Sequence, residues 1–152
     1  PSIAQVGGRL IVLSTPNVQM DCVIKTLVEG TEAGGVARLD SAASPANFII
    51  YYEDGAGNIK VDECVAGTYT NLLSVVKAAA TGDILRLWLN GSAWRLYHIT
   101  SAGVATLQGS GTTNVLTGNL FGGFNTYSGN AIESCVVSAV GTEGQYRDLD
   151  LM

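Results

Sequence analysis

Residues 83–99 read Asp83-Ile-Leu-Arg-Leu-Trp-Leu-Asn-Gly-Ser-Ala-Trp-Arg-Leu-Tyr-His-Ile99. Two alternating runs flank Asn90-Gly91, a pair that tolerates the positive φ of a tight hairpin. A period of two puts Leu85, Leu87 and Leu89 on one face and Ile84, Arg86 and Trp88 on the other. After the turn, Trp94, Leu96 and His98 alternate with Arg95, Tyr97 and Ile99. One face suits a core; the other mixes arginines with large aromatics. Charge decides the register. A two-residue Asn-Gly loop would set Arg86 opposite Arg95, and like charges paired directly cost up to ~1 kcal/mol. A four-residue loop, Asn90 to Ala93, instead pairs Leu89 with Trp94, Leu87 with Leu96, Trp88 with Arg95 and Arg86 with Tyr97. That register permits packing and cation–π contact.

The same pattern of short runs and turn residues extends in both directions. It predicts strands over Gly8–Ser14, Met20–Glu29, Val36–Asp40, Asn47–Glu53, Asn58–Val65, Thr68–Ala78, Asp83–Leu89, Trp94–Thr100, Val104–Gln108, Asn119–Phe124 and Ala131–Val140. Leu72–Ala80 mixes helix formers, but Val75-Val76 and the alternation through Tyr69, Asn71, Leu73 and Val75 favour a strand. Regularly spaced strands joined by hairpins predict an all-β, antiparallel two-sheet sandwich with jelly-roll topology. Residues 1–140 form one domain on this reading, and 141–152 an acidic tail. The strand at 48–52 is apolar on both sides, Phe48, Ile50 and Tyr52 against Ile49 and Tyr51. Its second face therefore needs a cover, from long loops or from another subunit.

Composition narrows the partners. Nineteen glycines against three prolines fit a chain rich in turns. With 152 residues, the chain is long enough to bury roughly 70% of its unfolded surface. No apolar run approaches the ~20 residues of a membrane span, and no basic start precedes an apolar leader. Eight Lys and Arg against thirteen Asp and Glu give a net charge of −5, which disfavours nucleic acid. Only 14% of residues are charged, below the ~25% usual for globular domains, and mean hydropathy is +0.27. A surface so sparingly charged fits either a large core under small polar residues or outer faces buried in an assembly. Cys22, Cys64 and Cys135 are odd in number, widely spaced and without zinc-ligand spacing, so they read as buried free thiols made in a reducing cytoplasm.

Along the chain come, in order, Gly7-Gly8-Arg9-Leu10, Asp21-Cys22-Val23-Ile24, Asn47-Phe48-Ile49-Ile50-Tyr51-Tyr52, Val65-Ala66-Gly67-Thr68-Tyr69-Thr70, Gly82-Asp83-Ile84-Leu85-Arg86-Leu87 and Phe121-Gly122-Gly123-Phe124. This succession resembles the concanavalin A-like lectin/glucanase superfamily in its laminin-G-like form. The resemblance spans about residues 7–140 and is of the kind found in phage structural proteins and bacterial extracellular proteins. Two departures stand out. The family's first strand would precede Gly7, leaving an edge for a neighbouring subunit to pair with. The family's Tyr-x-Asn-Gly hairpin has become Tyr97-His98-Ile99-Thr100-Ser101-Ala102-Gly103, without the Asn.

The glucanases of this superfamily carry Glu-x-Asp-x-x-Glu on one strand, so that alternation aims carboxylates into a cleft. That motif is missing here. Glu53-Asp54 lies at a hairpin tip, and the adjacent Asp62 and Glu63 point to opposite faces. His98, the only histidine, has no nucleophile that sequence can link to it, and reads as a packed or rim residue. Were the shorter loop correct, Asp83 would face it. Laminin-G-like domains often bind calcium, for which Asp54 and Asn58 supply oxygens around Gly55–Gly57, but no bidentate cage is visible. The run Gly109-Ser-Gly-Thr-Thr-Asn114 lacks a phosphate-loop lysine and reads as an ordinary loop.

The aromatics Trp88, Trp94, Tyr51, Tyr52, Tyr69, Tyr97 and Tyr127 are the candidate sugar-stacking residues. Alternation assigns Trp94 and Tyr52 to the core, and Trp88, Tyr97 and Tyr51 to the opposite face beside Arg86 and Arg95. Aromatics with arginine suit a glycan platform or a protein interface. The resulting expectation is a non-catalytic structural or decoration protein without a cofactor, homo-oligomeric and bound to other protein subunits. The resemblance implies a bacteriophage virion component, a capsid cement protein or fibre domain, made in the host cytoplasm. The alternative is a glycan-binding, lectin-like adhesion module working outside the cell.

Overall fold

Two antiparallel sheets face each other, and among the described residues no strand of either pairs in parallel. The computed structural model describes residues 11–26, 32–125 and 131–140. The strands are β1 (Ile11–Val12), β2 (Val18–Thr26), β3 (Ala33–Leu39), β4 (Phe48–Glu53), β5 (Asn58–Val65), β6 (Thr68–Val76), β7 (Ile84–Asn90), β8 (Ala93–Ile99), β9 (Ala105–Thr112), β10 (Leu120–Asn125) and β11 (Ala131–Ala139). One sheet has the order β1-β10-β3-β4-β5-β6, the other β11-β2-β7-β8-β9. Each predicted strand has its counterpart, and the stretch open to a helical reading, Leu72–Ala80, is strand β6 as far as Val76 and irregular beyond it. Gly7–Leu10, Tyr127 and the acidic tail lie outside the described residues.

The β7–β8 hairpin has the register that charge favoured: Arg86↔Tyr97, Leu87↔Leu96, Trp88↔Arg95 and Leu89↔Trp94. Pairing continues one step further, to Asn90↔Ala93, so the loop is Gly91-Ser92 rather than four residues. Gly91 alone of these two has a positive φ, 56°, as a type II′ turn requires at its first central position.

Between the sheets lies one core. The five-stranded sheet contributes Val18, Met20, Cys22, Leu85, Leu87, Leu89, Trp94 and Leu96; the six-stranded sheet contributes Ala37, Ile49, Tyr51, Ile59, Val61 and Phe121. A second buried cluster, Val36, Leu39, Phe48, Ile50, Tyr52 and Cys64, covers the other face of the six-stranded sheet. The doubly apolar β4 is thus buried on both faces within a single chain, with no second subunit needed.

This arrangement reverses the expected facing of the two tyrosines. Tyr51 is in the inter-sheet core, its hydroxyl donating to the Met20 carbonyl at 2.9 Å and lying 3.3 Å from Cys22 Sγ. Tyr52 is on the opposite face, donating to Asp62 Oδ2 at 2.7 Å. A strand apolar on both sides carries no polarity signal to tell its faces apart; the space opposite decides. Tyr51 pairs with Gly35, where a Cβ would come within 2.7 Å of the Tyr51 hydroxyl and 2.8 Å of Cys22 Sγ.

The run Gly109–Thr112 is strand rather than loop. Its glycines stand on the inner face, where Leu73 of β6 and the indole of Trp94 take the volume; a Cβ on Gly109 would meet Leu73 at 2.7 Å. Glycine here makes room for a neighbour and does not mark a turn.

Candidate functional site

The ladders of the five-stranded sheet arrange its outer face in transverse rows. The middle row is Val136–Asp21–Arg86–Tyr97–Leu107, one residue from each strand. Beside it runs Ser138–Gln19–Trp88–Arg95–Ser110, and on the other side Ser134–Val23–Ile84–Ile99–Ala105. Arg86, Trp88, Arg95 and Tyr97 therefore form one two-by-two block, aromatics on one diagonal and guanidiniums on the other. Tyr51 does not belong to it, being in the core.

Within the block each charge has a defined partner. Arg86 meets Asp21 directly across the β2–β7 ladder and donates from two nitrogens, at 2.7 and 2.8 Å. Arg95 lies over the Trp88 ring, 4.9 Å from its centroid, and fixes the indole by cation–π attraction. Trp88 and Tyr97 are half-buried, Arg95 is exposed. Gln19, next to Trp88 in the row, has a buried Oε1 with no hydrogen-bond partner. The sequence did not mark Gln19 or Asp21 as site residues, because their strand is remote from the hairpin and only the β2–β7 pairing brings them in. Leu107 and Val136, 50% and 57% exposed, end the middle row on the two edge strands.

The other candidates are held in hydrogen-bond networks. Asp83 and His98 do meet, Nε2 to Oδ2 at 2.7 Å, although the register opposes His98 to Leu85. Asp83 is two residues before Leu85, so it shares that face and approaches diagonally. Its carboxylate also accepts from the backbone N–H groups of Ala80 and Ser101, clamping two loops. Burial works to raise the Asp83 carboxyl, but these N–H donors and His98 hold it below the usual carboxylate value. Glu63 accepts from the Thr113 hydroxyl and from the backbone and side chain of Asn114; Asp62 accepts from Tyr52 and Asn71.

At the β4–β5 turn, Asp54 receives the N–H groups of Ala56 and Asn58, the Asn58 amide, and Lys60 Nζ at 2.8 Å. Four donors engage its two oxygens, which makes this an Asx-type turn and not the start of a calcium cage. Among the described residues, no three His, Cys, Asp or Glu side chains cluster as metal ligands. No described helix is long and apolar enough to cross a membrane. Two of the three cysteines are not isolated: Cys22 and Cys135 face each other across β2 and β11.

No family model and no curated protein matches the sequence. Solved structures do share the fold. The carbohydrate binding module CBM66 from Bacillus subtilis superposes with a TM-score of 0.61 at 14% identity, covering 88% of this chain and 80% of that one. Galectin LEC-6 of Caenorhabditis elegans gives 0.60 at 11% identity, covering 87% and 91%. A GH43 protein, BlXynB of Bacillus licheniformis, gives 0.59 at 16% identity over 90% of this chain but only 28% of its own length. Two antiparallel sheets of six and five strands, superposable on these structures, give the chain a jelly-roll β-sandwich fold.

Proposed function

We propose that this chain is a non-catalytic carbohydrate-binding module that receives a glycan on the outer face of its five-stranded sheet. The observation that carries the reading is the Arg86–Trp88–Arg95–Tyr97 block. Aromatic surface suits the C–H faces of a sugar ring, while the exposed Arg95 offers donors to its hydroxyls. A carbohydrate binding module and galectins among the structures sharing the fold support the same reading. For the non-catalytic part, the support is that Asp62, Glu63, Asp83 and Asp54 are each engaged by several donors. An extracellular setting accords with this role.

The test is a glycan array followed by titration of any binder. We expect at least one oligosaccharide to bind, and Trp88→Ala or Tyr97→Ala to weaken it by roughly 30-fold, the ~2 kcal/mol of an aromatic anchor. The thermal midpoint should stay unchanged, since both residues lie outside the core. A folded wild-type protein that ignores the whole array would overturn the proposal.

A second reading, a subunit contact on the same face, draws on one observation. Leu107 and Val136 extend the middle row with exposed apolar surface at both ends. It accommodates the homo-oligomeric virion protein implied by the sequence resemblance. The two-sided apolar β4 no longer supports it, because that strand is covered within one chain. Native mass decides: a stable monomer that binds glycan favours the first reading, a defined oligomer that resists Trp88→Ala in glycan binding but dissociates on Leu107→Asp favours the second.

A further inference from the structure

The sequence separates Cys22 and Cys135 by 113 residues, yet the β2–β11 ladder sets them directly opposite. Directly opposed residues of an antiparallel pair have Cα atoms ~4.5–5.5 Å apart, inside the ~4.4–6.8 Å span that a disulfide bridges. Their side chains share the inner face, where Cys22 is in the core and Cys135 packs against it. The two Sγ atoms are 2.7 Å apart, closer than Tyr51 Oη comes to Cys22 Sγ at 3.3 Å. Gly35 keeps the space behind this group free of a Cβ. Cys64 has no part in it, lying on the other face of the opposite sheet.

We propose that Cys22 and Cys135 are a redox-active pair that closes into a disulfide, stapling the edge strand β11 to β2. The local geometry gives such a bond something to do. The β11 register slips twice, between Ala131 and Ile132 and between Ile132 and Ser134, just before Cys135. As an edge strand, β11 is held by the β2 ladder on one side only. A covalent link at Cys135 fixes it, and with it the alignment of Val136 and Ser138 against Asp21 and Gln19.

The oxidant is a small disulfide such as oxidised glutathione. Cys135, the more exposed of the two, attacks as thiolate; a Cys135 Sγ–S bond forms, the glutathione S–S bond breaks, and one glutathione thiolate leaves and takes up a proton. Cys22 then loses its proton to solvent and attacks Cys135 Sγ. The Sγ–Sγ bond forms and the second glutathione leaves, so two cysteine thiols are oxidised and one glutathione disulfide is reduced to two thiols. Burial first, and then the neighbouring Cys135, push the Cys22 thiol well above its ordinary value, so this second step is the slow one and quickens with rising pH.

The test equilibrates wild-type, Cys64→Ala and Cys135→Ser proteins in a glutathione redox buffer, both folded and after refolding from urea in that buffer. The refolding arm gives oxidant access to Cys22. Thiols are then alkylated under denaturing conditions and counted by mass. Expected are a loss of two hydrogens, a single remaining thiol at Cys64, and linked proteolytic fragments carrying Cys22 and Cys135. Cys64→Ala should keep no free thiol, and Cys135→Ser should form no internal bridge. Oxidation should raise the thermal midpoint by about 5–15 °C, reversed by dithiothreitol and absent in Cys135→Ser. Three alkylatable thiols after refolding, a bridge to Cys64, or only a glutathione adduct on Cys135 would overturn the proposal.

Discussion

Arg38 shows how much one side chain can organise here. It is fully buried at a bulge, with φ 56°. Its guanidinium donates to the carbonyls of Pro16 and Val115 and to Asn17 Oδ1, which also accepts the Gly91 N–H at the β7–β8 turn. Burial lowers its pKa to about 10, so it stays charged at neutral pH. Three acceptors around one cation bind the hairpin tip, the 15–17 turn and the 113–118 loop together. Arg38→Met should cost about 3 kcal/mol or more in urea unfolding, because removing the cation strands buried acceptors. A loss below 1 kcal/mol would show that water replaces it without penalty. Gly35 is the complementary case, important for what it lacks. Gly35→Ala forces a Cβ against the Tyr51 hydroxyl and Cys22 Sγ, and should destabilise by about 1–3 kcal/mol. Glycine's role there could not be read from the sequence, since neither partner is near it in the chain.

Strands and hairpins were the most legible level. Alternation and turn residues mark the strands, and the repulsion between Arg86 and Arg95 is enough to select the β7–β8 register. Legibility ended where the signal depended on a distant partner. Tyr51 and Tyr52 lie in a strand apolar on both sides, so the vacancy opposite Gly35 decides which one enters the core. Gly109 and Gly111 look like a loop because their missing side chains are replaced by Leu73 and Trp94. The site divides the same way: the hairpin half was visible, while Gln19 and Asp21 needed the β2–β7 pairing. At the β5–β6 turn the sequence is locally imperfect. Ala66 and Gly67 both have positive φ, 48° and 80°, as a type I′ turn demands, and alanine adopts that conformation at a cost. Ala66→Asn should therefore raise stability by about 0.5–1 kcal/mol, visible as a higher urea midpoint with an unchanged slope. A lower midpoint would mean that the backbone N–H bond from Ala66 to Asn47 Oδ1 does not survive the change.

At the scale of the whole molecule, the buried and turn carboxylates give the sandwich a pH signature. Asp40, Asp54, Glu63 and Asp83 are all held below their ordinary values despite burial that works to raise them, because side-chain and backbone donors outweigh it. For Asp54, Lys60, Asn58 and the Ala56 and Asn58 N–H groups bring the value to about 2. A carboxylate depressed on folding contributes stability above its unfolded value, and that contribution is lost as pH falls through the folded one. Glu32 and Glu53 run the other way: burial raises both, so each weakens the fold at neutral pH and ceases to do so as it takes up its proton on acidification. Stability should therefore rise slightly from neutral pH to about pH 5, then fall below about pH 4 as the four depressed groups protonate. Asp54→Asn isolates one of these carboxylates. It should lower the urea midpoint at neutral pH, by about 1–3 kcal/mol of stability, and converge on the wild type near pH 2, where Asp54 itself gains a proton. Urea midpoints measured from pH 2 to pH 8 on both proteins decide the matter. Parallel curves, with the same deficit at both ends, would mean that Asp54 acts through turn geometry rather than through its charge.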